Sequence, residues 1–376
     1  ILFAIVYFVT AFGGKLSLFS SAYSICIIIP TSICIMLVTI LYGNLSAVLL
    51  SFIISLGVLN ASGWQIPTCL FTLASALSST VIVRKIERRI DLVVAGIIMA
   101  LFEVVFILLL QVIFNEAISG IAPLIFGVAI NGFISGILTL GLLTPLETIL
   151  NTASVFRLMD LSDNNTPIFK QMQIQANGTY NHSMMVAQLA ESACREINAN
   201  PILARVGGYY HDIGKIEQSE YFVENQLNMQ NKHNDINPTL SASVIKSHVR
   251  KGIEKGHQLH LPQAVIDIIA EHHGNSIITY FYNEATKKDA TLSPEDFAYP
   301  GNPPSSKESG VVMLADIVEA ACHTLDNPTS GRLEKFISNL ISQKIEHGQL
   351  DNCELTFSDI AKIKNSFVNL LTGYYH

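Results

Sequence analysis

The first 150 residues leave a helical chain almost no alternative to a membrane. Apolar runs occupy Ile1 to Phe12, Leu18 to Leu41, Leu45 to Leu59, Ile66 to Val83, Leu92 to Phe114 and Ile121 to Leu143. A helix needs about 20 residues to cross the hydrocarbon core. Several runs reach that length, the first looks cut short, and the third and fourth are short. The pattern predicts six spans, give or take one. Between Ile1 and Ile149 the basic residues are Lys15, Arg84, Lys85, Arg88 and Arg89, and the acidic ones are Glu87, Asp91, Glu103, Glu116 and Glu147. They cancel, and no histidine accompanies them. The whole net charge of -7 and all 11 histidines therefore fall later in the chain. A composition that is 50% hydrophobic and only 14% charged is thus the average of two unlike halves. The fold class expected is all-α, a polytopic transmembrane helix bundle over residues 1–149, a helical connector over 150–170 and a soluble all-helical domain over 171–376.

The densest basic cluster, Val83-Arg84-Lys85-Ile86-Glu87-Arg88-Arg89, separates the fourth and fifth runs. Positive charge stays on the cytoplasmic side, so counting on from it delivers the soluble half to the cytoplasm, with Lys15 a mild exception outside. Glu103 lies inside the apolar sequence Ala100-Leu101-Phe102-Glu103-Val104-Val105. An acid at that depth marks a ligand or proton site, or a hydrogen bond internal to the bundle. The chain opens in the middle of an apolar run with no initiator Met, basic n-region or small-residue cleavage site, which is expected of a piece of a longer protein. Cys26, Cys34, Cys69, Cys194, Cys322 and Cys353 form no CxxC pair, which argues against a zinc knuckle and a disulfide framework and points to a reducing compartment. The acidic soluble half argues against a nucleic-acid polymer as partner, while a small phosphate ligand stays compatible with a metal site.

Beyond the connector, amphipathic segments follow one another without strand alternation. Asn200-Pro201 and Asn237-Pro238 have the chemistry of a helix cap and first turn, Pro262 opens another helix, and Gly214 and Gly274 suit helix ends. Tyr299 to Pro304 reads as a loop. Helical spacing then decides where the histidines face. His182 precedes Val186, Leu189, Ala193 and Ile197 on one face, Leu203 and Gly207 lead to His211, and Leu240 and Val244 lead to His248. Val265, Ile268 and Ile269 lead to His272, and Val312 to Asp316. Singly, each is a core polar residue satisfied by a hydrogen bond. Five helices aiming such groups inward would leave costly polar atoms unpaired without a shared partner, at roughly 1 to 3 kcal/mol each. With the adjacent Asp212 and His273, the set His182, His211, Asp212, His248, His272, His273 and Asp316 suffices for two octahedral metals completed by water. Hard and intermediate donors without thiolate favour Mn or Fe over structural zinc.

The order H…HD…H…HH…D resembles the HD-domain metal phosphohydrolases. Gly178-Thr179-Tyr180-Asn181-His182-Ser183, Ala204 to Lys215, Phe222-Val223-Glu224-Asn225-Gln226 and Glu271-His272-His273-Gly274 are similar to the bacterial seven-transmembrane-receptor HD hydrolases, membrane-bound cyclic di-AMP phosphodiesterases. Arg84 to Gly96 resembles that family's inter-span segment, so the likeness covers the whole chain, which would start in the second of seven spans after an extracellular domain. The resemblance implies one ion on His182, His211, Asp212 and Asp316 and a second on Asp212, His248, His272 and His273, with Asp212 bridging. Asp212 and Lys215 would be catalytic, Lys215 reaching a phosphate oxygen; a helix C-terminal cation is its plainer role. Asn181 departs from a usual first histidine, and Asn231-Lys232-His233-Asn234 replaces Asn-Pro-His-Asp in a substrate-side loop.

The function implied is hydrolysis of cyclic di-AMP to pApA in a multi-pass protein of the bacterial cell (inner) membrane, with the lipid bilayer and a cyclic dinucleotide as partners. An extracellular signal would enter through a missing N-terminal domain, and a homo-oligomer is compatible with the pattern. Two other readings stay open. One is a different nucleotide, cyclic di-GMP or (p)ppGpp, although the Gly-Tyr-Pro element of cyclic di-GMP hydrolases is replaced by Gly274-Asn275-Ser276. The other is a nucleotide-binding receptor without turnover, in which ligands would have been lost.

Overall fold

A computed structural model of the chain describes residues 1–19, 21–86, 88–115, 121–226, 231–323, 325 and 329–375. Glu87 of the basic cluster and Glu116 lie outside them. The described residues are helical, and their only pairing in extended geometry is an isolated antiparallel bridge between Ile277 and Ala298. The chain divides into two units, Ile1–Arg157 and Leu158–His376.

In the first unit the helices are α1 (Leu2–Gly13), α2 (Thr31–Tyr42), α3 (Asn44–Ala61), α4 (Ile66–Val83), α5 (Asp91–Phe114) and α6 (Ile121–Leu150). Among the described residues, four helices, α3 to α6, are long and apolar enough to cross a membrane. Here α1 and α2 fall short of the six spans expected, with 12 residues each. The second apolar run is not one helix. Ser17–Phe19 and Ser24–Ile27 form 3-10 turns, and Pro30, which has no N–H to continue a helix, stands before α2. Carbonyls released by the break need a donor where water is absent. Asn131 of α6 supplies it, its Nδ2 donating to Ile27 O at 2.8 Å, Ile29 O at 3.1 Å and Cys26 O at 3.3 Å.

Helices α5 and α6 meet along glycine. A Cβ at Gly136 would lie 2.4 Å from Leu92 O, and one at Gly132 would lie 2.6 Å from Ala100 N, so only glycine permits this backbone approach. Many buried hydroxyls in the unit bond to their own helix one turn back: Thr39, Ser51, Ser55, Thr72, Ser79, Thr80, Ser135 and Thr139 each donate to the carbonyl at i-4. Glu103 is bonded from another helix instead. It is 1% exposed, its Oε1 accepts from Ser32 Oγ at 2.6 Å, and its Oε2 has no hydrogen-bond partner.

The division between units falls inside α7 (Val155–Leu161). The second unit continues with α8 (Pro167–Gln175), α9 (Asn177–Glu196), α10 (Pro201–Tyr210), α11 (Pro238–Gln258), α12 (Gln263–Glu271), α13 (Thr279–Thr286), α14 (Lys307–Cys322), α15 (Ser330–Glu346) and α16 (Phe357–Tyr375). Asn200 and Asn237 cap α10 and α11 as expected, their side chains accepting from Leu203 N and Leu240 N at 3.1 and 2.7 Å. The core joins Val186, Leu189, Ala193 and Ile197 of α9 to Val311, Val312, Leu314 and Ala315 of α14, with Ile337 and Phe367 closing it from α15 and α16. That packing fixes the faces from which the polar side chains project.

Two local expectations are corrected. Helix α10 ends at Tyr210, and Gly214 belongs instead to the 3-10 segment Ile213–Tyr221. Its role is close approach, since a Cβ there would sit 1.9 Å from His248 O on α11. Leu240, expected on a buried stripe with His248, is 49% exposed; Ser241, Ala242, Val249, Gly252 and Gly256 are the residues of α11 buried with His248.

Candidate metal centre

Five helices deliver the polar groups to one place. His182 projects from mid-α9, His211 and Asp212 follow the last turn of α10, His248 lies in α11, His272 and His273 follow α12, and Asp316 lies in α14. All are buried except His273, which is half-buried. Gly274 follows at φ +55, the left-handed turn that ends the helix directly after the paired histidines.

The backbone sets the tautomers. Nδ1 of His211 faces Gly208 O at 2.7 Å, that of His248 faces Ile245 O at 2.5 Å, and that of His272 faces Ile269 O at 2.8 Å. A carbonyl can only accept, so each Nδ1 carries the proton and each Nε2 presents a lone pair to the interior. Asp212 receives these nitrogens on two sides. Its Oδ2 lies 3.1 Å from His211 Nε2 and 3.7 Å from His182 Nε2, while its Oδ1 lies 3.4 Å from His248 Nε2 and 3.7 Å from His272 Nε2. Asp316 is divided the same way. Its Oδ1 is 3.1 Å from His182 Nε2 and 3.9 Å from His211 Nε2, and its Oδ2 is 3.5 Å from His273 Nδ1.

Donor atoms of three groups converge to within 4.8 Å: His182 with His211 and Asp316; His211 with Asp212 and His272; and His248 with His272 and His273. His211 Nε2 and Asp212 Oδ1 are buried without a hydrogen bond. Such atoms are expensive in a protein interior unless something else binds them. A divalent cation fits a set of inward lone pairs and carboxylates with no thiolate among them.

Charge is distributed unevenly over the set. Burial opposes ionisation of Asp212, but His211 and Lys215 outweigh it and hold the carboxyl well below its usual range. Asp316 is likewise depressed against burial by its hydrogen bond to His182 and by His273. Burial lowers His248 to about 3 and pushes His273 well down, so both are neutral and available as ligands. His182 goes the other way, since hydrogen bonds to Asp316 and Glu319 overcome burial and raise it to about 10.

Three partners escaped the sequence reading. Glu319, 5% exposed on α14, takes the hydrogen bond of His182 Nδ1 and also meets His323 Nε2 at 2.7 Å. It lies one turn past Asp316, and that spacing was the available signal. Glu224, inside a motif already singled out, bonds Lys215 Nζ at 2.9 Å and Thr179 Oγ1 at 3.1 Å. Tyr299 stacks on His273 with ring centroids 4.2 Å apart and an interplanar angle of 30°. Lys215 itself sits 2.7 Å from Asp212 Oδ2 and over the Phe222 ring at 4.9 Å. The converging histidines and aspartates open into a cavity of about 860 Å³ lined by Lys215, Phe222, Glu224, Ile245, Tyr299 and Lys344 among others. Asn231 to Asn234 do not line it; His233 Nε2 is instead bonded to Tyr221 O at 2.7 Å.

Comparison with known proteins divides along the same line. Residues 1–154 match the sequence model described as "7TM receptor with intracellular HD hydrolase", and residues 179–321 match the HD domain. The chain is 38% identical over 309 residues to the cyclic-di-AMP phosphodiesterase PgpH of Bacillus subtilis, covering 82% of this chain and 44% of that protein. It is 36% identical over 309 residues to PgpH of Listeria monocytogenes, covering 82% and 43%. The chain thus spans less than half the length of these curated relatives. The crystal structure of the L. monocytogenes PgpH HD domain in complex with cyclic-di-AMP superposes with a TM-score of 0.55 at 38% identity, covering 57% of this chain and 100% of that one.

Proposed function

The chain belongs to the family of 7TM receptors with an intracellular HD hydrolase, and on that premise we propose that it hydrolyses one 3′,5′ phosphodiester of cyclic di-AMP to give linear pApA. The observation that carries the reading is the two-sided environment of Asp212, with His182 and His211 toward one oxygen and His248 and His272 toward the other.

His182, His211, Asp212 and Asp316 would hold one divalent ion, and Asp212, His248, His272 and His273 a second, with Asp212 shared. Mn or Fe suits these donors. Such a pair supplies Lewis acidity, lowering the pKa of a coordinated water and neutralising charge on the phosphate oxygens. The protein's own contribution is positional. Backbone carbonyls of Gly208, Ile245 and Ile269 hold three imidazoles with their lone pairs inward. Glu319 holds the Nδ1 proton of His182, which leaves Nε2 as the ligand atom. Lys215, which lines the cavity beside Asp212, is assigned to a phosphate oxygen. Ring stacking of Tyr299 fixes His273 and walls off one side.

With the basic cluster at Arg84 to Arg89 on the cytoplasmic side, residues 171–376 work in the cytoplasm of a bacterium and residues 1–149 anchor them in its cell membrane. The decisive experiment loads the chain with Mn in lipid nanodiscs, offers cyclic di-AMP and cyclic di-GMP separately, and resolves the products by chromatography. Selective appearance of pApA is expected. Cleavage of cyclic di-GMP alone, or of neither with two metals bound, overturns the assignment.

A further inference from the structure

A cyclic dinucleotide carries two phosphates, and only one can occupy the metal centre at a time. The other must lie elsewhere in the same cavity. Its negative charge is costly to strip of water unless a cation receives it.

Among the described residues, Lys215 and Lys344 are the lysines lining the cavity, and no arginine does. They are differently placed. Lys215 is held by Asp212 and Glu224. Across the same unit Lys232, Lys251, Lys255, Lys307 and Lys364 each face a carboxylate at 2.9 to 3.9 Å. Lysines without such a partner are either exposed to water, as are Lys170, Lys288, Lys335 and Lys362, or outside the cavity lining, as is the half-buried Lys246, whose Nζ donates to Asp296 O at 2.6 Å. Lys344 is neither. It is half-buried in the cavity wall and, among the described residues, pairs with no carboxylate; its Nζ donates to the neutral Ser276 Oγ at 2.8 Å. Burial lowers its pKa, Asp316 opposing, as expected for an ammonium short of counter-charge.

Its anchor ties it to the metal centre. Ser276 N donates to His273 O at 3.1 Å, and Tyr299 N donates to Ser276 O at 3.0 Å. Lys344 therefore reaches the cavity beside the ligand His273 and its stacked tyrosine. Gln349 braces the same turn, its Nε2 donating to Asn275 Oδ1 at 2.6 Å.

We propose that Lys344, seated on Ser276, is an anion subsite that binds the second, non-reacting phosphate of a cyclic dinucleotide. This rests on the phosphodiesterase reading and deepens it, because it makes the ring, with its two phosphates, the preferred substrate over a single diester.

The test compares the chain and its Lys344→Gln variant, both in nanodiscs with Mn, on cyclic di-AMP and on bis(p-nitrophenyl) phosphate, a diester with one phosphate. The ratio of kcat/KM for the two substrates should fall about tenfold, through KM for the ring, since a charge-assisted hydrogen bond is lost. Lys344→Arg should restore most of it. Ser276→Ala, which removes the anchor and spares the charge, should give a smaller shift of the same sign and serves if Lys344→Gln fails to fold. Equal losses on both substrates, or none on either, overturn the subsite and leave the reaction standing. A wild-type chain that cleaves only the single diester and does not bind cyclic di-AMP in equilibrium dialysis sinks the substrate reading and the subsite with it.

Discussion

Both units bury polar groups, and they do so in opposite ways. In Ile1–Arg157 the buried hydroxyls of Thr39, Ser51, Ser55, Thr72, Ser79 and Thr80 each return to a carbonyl one turn back in their own helix. In Leu158–His376 the conspicuous buried groups are imidazoles and carboxylates from five helices, whose inward-facing atoms, beyond the Nδ1 protons that backbone carbonyls hold, meet one another and what they would bind together. Local satisfaction makes a membrane bundle tolerant, since each bond fails alone. Collective satisfaction makes such a cluster brittle, because removing one member leaves charge or lone pairs stranded on the others.

The contrast is sharpest at Asp212. Asp212→Ala should lower turnover about a thousandfold or more and cost bound metal while the fold persists; a variant with wild-type rates and two metals by elemental analysis contradicts the assignment. Glu319→Gln, at a carboxylate bonded to His182 and His323, should cost about 10- to 100-fold in activity or metal affinity. Excess Mn should recover part of the rate, and a variant indifferent to Mn concentration argues against that role.

Acidity probes the same centre without mutation. In the metal-free protein His248 is depressed from 6.5 to about 3, so the unfolded chain binds a proton that the folded one refuses, and stability drops as pH falls below 6.5. His182 is raised from 6.5 to about 10, so its contribution is complete below 6.5 and declines as pH rises from there toward 10. Metal-free stability should therefore peak near pH 6.5, and thermal scans in detergent that rise steadily through that value contradict the balance.

Two substitutions test the membrane side. Glu103→Gln keeps an acceptor for Ser32 and should change stability by only about 1 kcal/mol. A much larger loss, or an altered hydrolysis rate, makes Glu103 the one membrane residue that behaves like the soluble centre and supports a part for it in signal transmission. Ser51→Ala removes a bond confined to its own helix and should shift stability by about 0.5 kcal/mol or less, read by the same scans.

Much of this was legible in the residues. Asparagine-proline pairs announced α10 and α11 through local capping chemistry, and four-residue steps placed the candidate ligand side chains inward because helix geometry is local. What escaped depends on distance. Glu319 meets His182 across 137 residues, and Tyr299 reaches His273 from a loop whose path no periodicity encodes. Leu240 misled because an apolar residue near a helix start need not face the core. The break before Pro30 was hidden by its own hydrophobicity, and its signals were the serines from Ser17 to Ser24 and the proline itself.

The amide of Asn131 has a consequence for biosynthesis. It clasps carbonyls 102 to 105 residues upstream, so the broken segment emerges from the ribosome long before the side chain that completes it. Until α6 enters the bilayer those carbonyls must keep water or another donor. A segment made well before α6 is therefore completed only with it, and Asn131→Leu should show this as a chain that inserts yet stays open to proteolysis near Pro30.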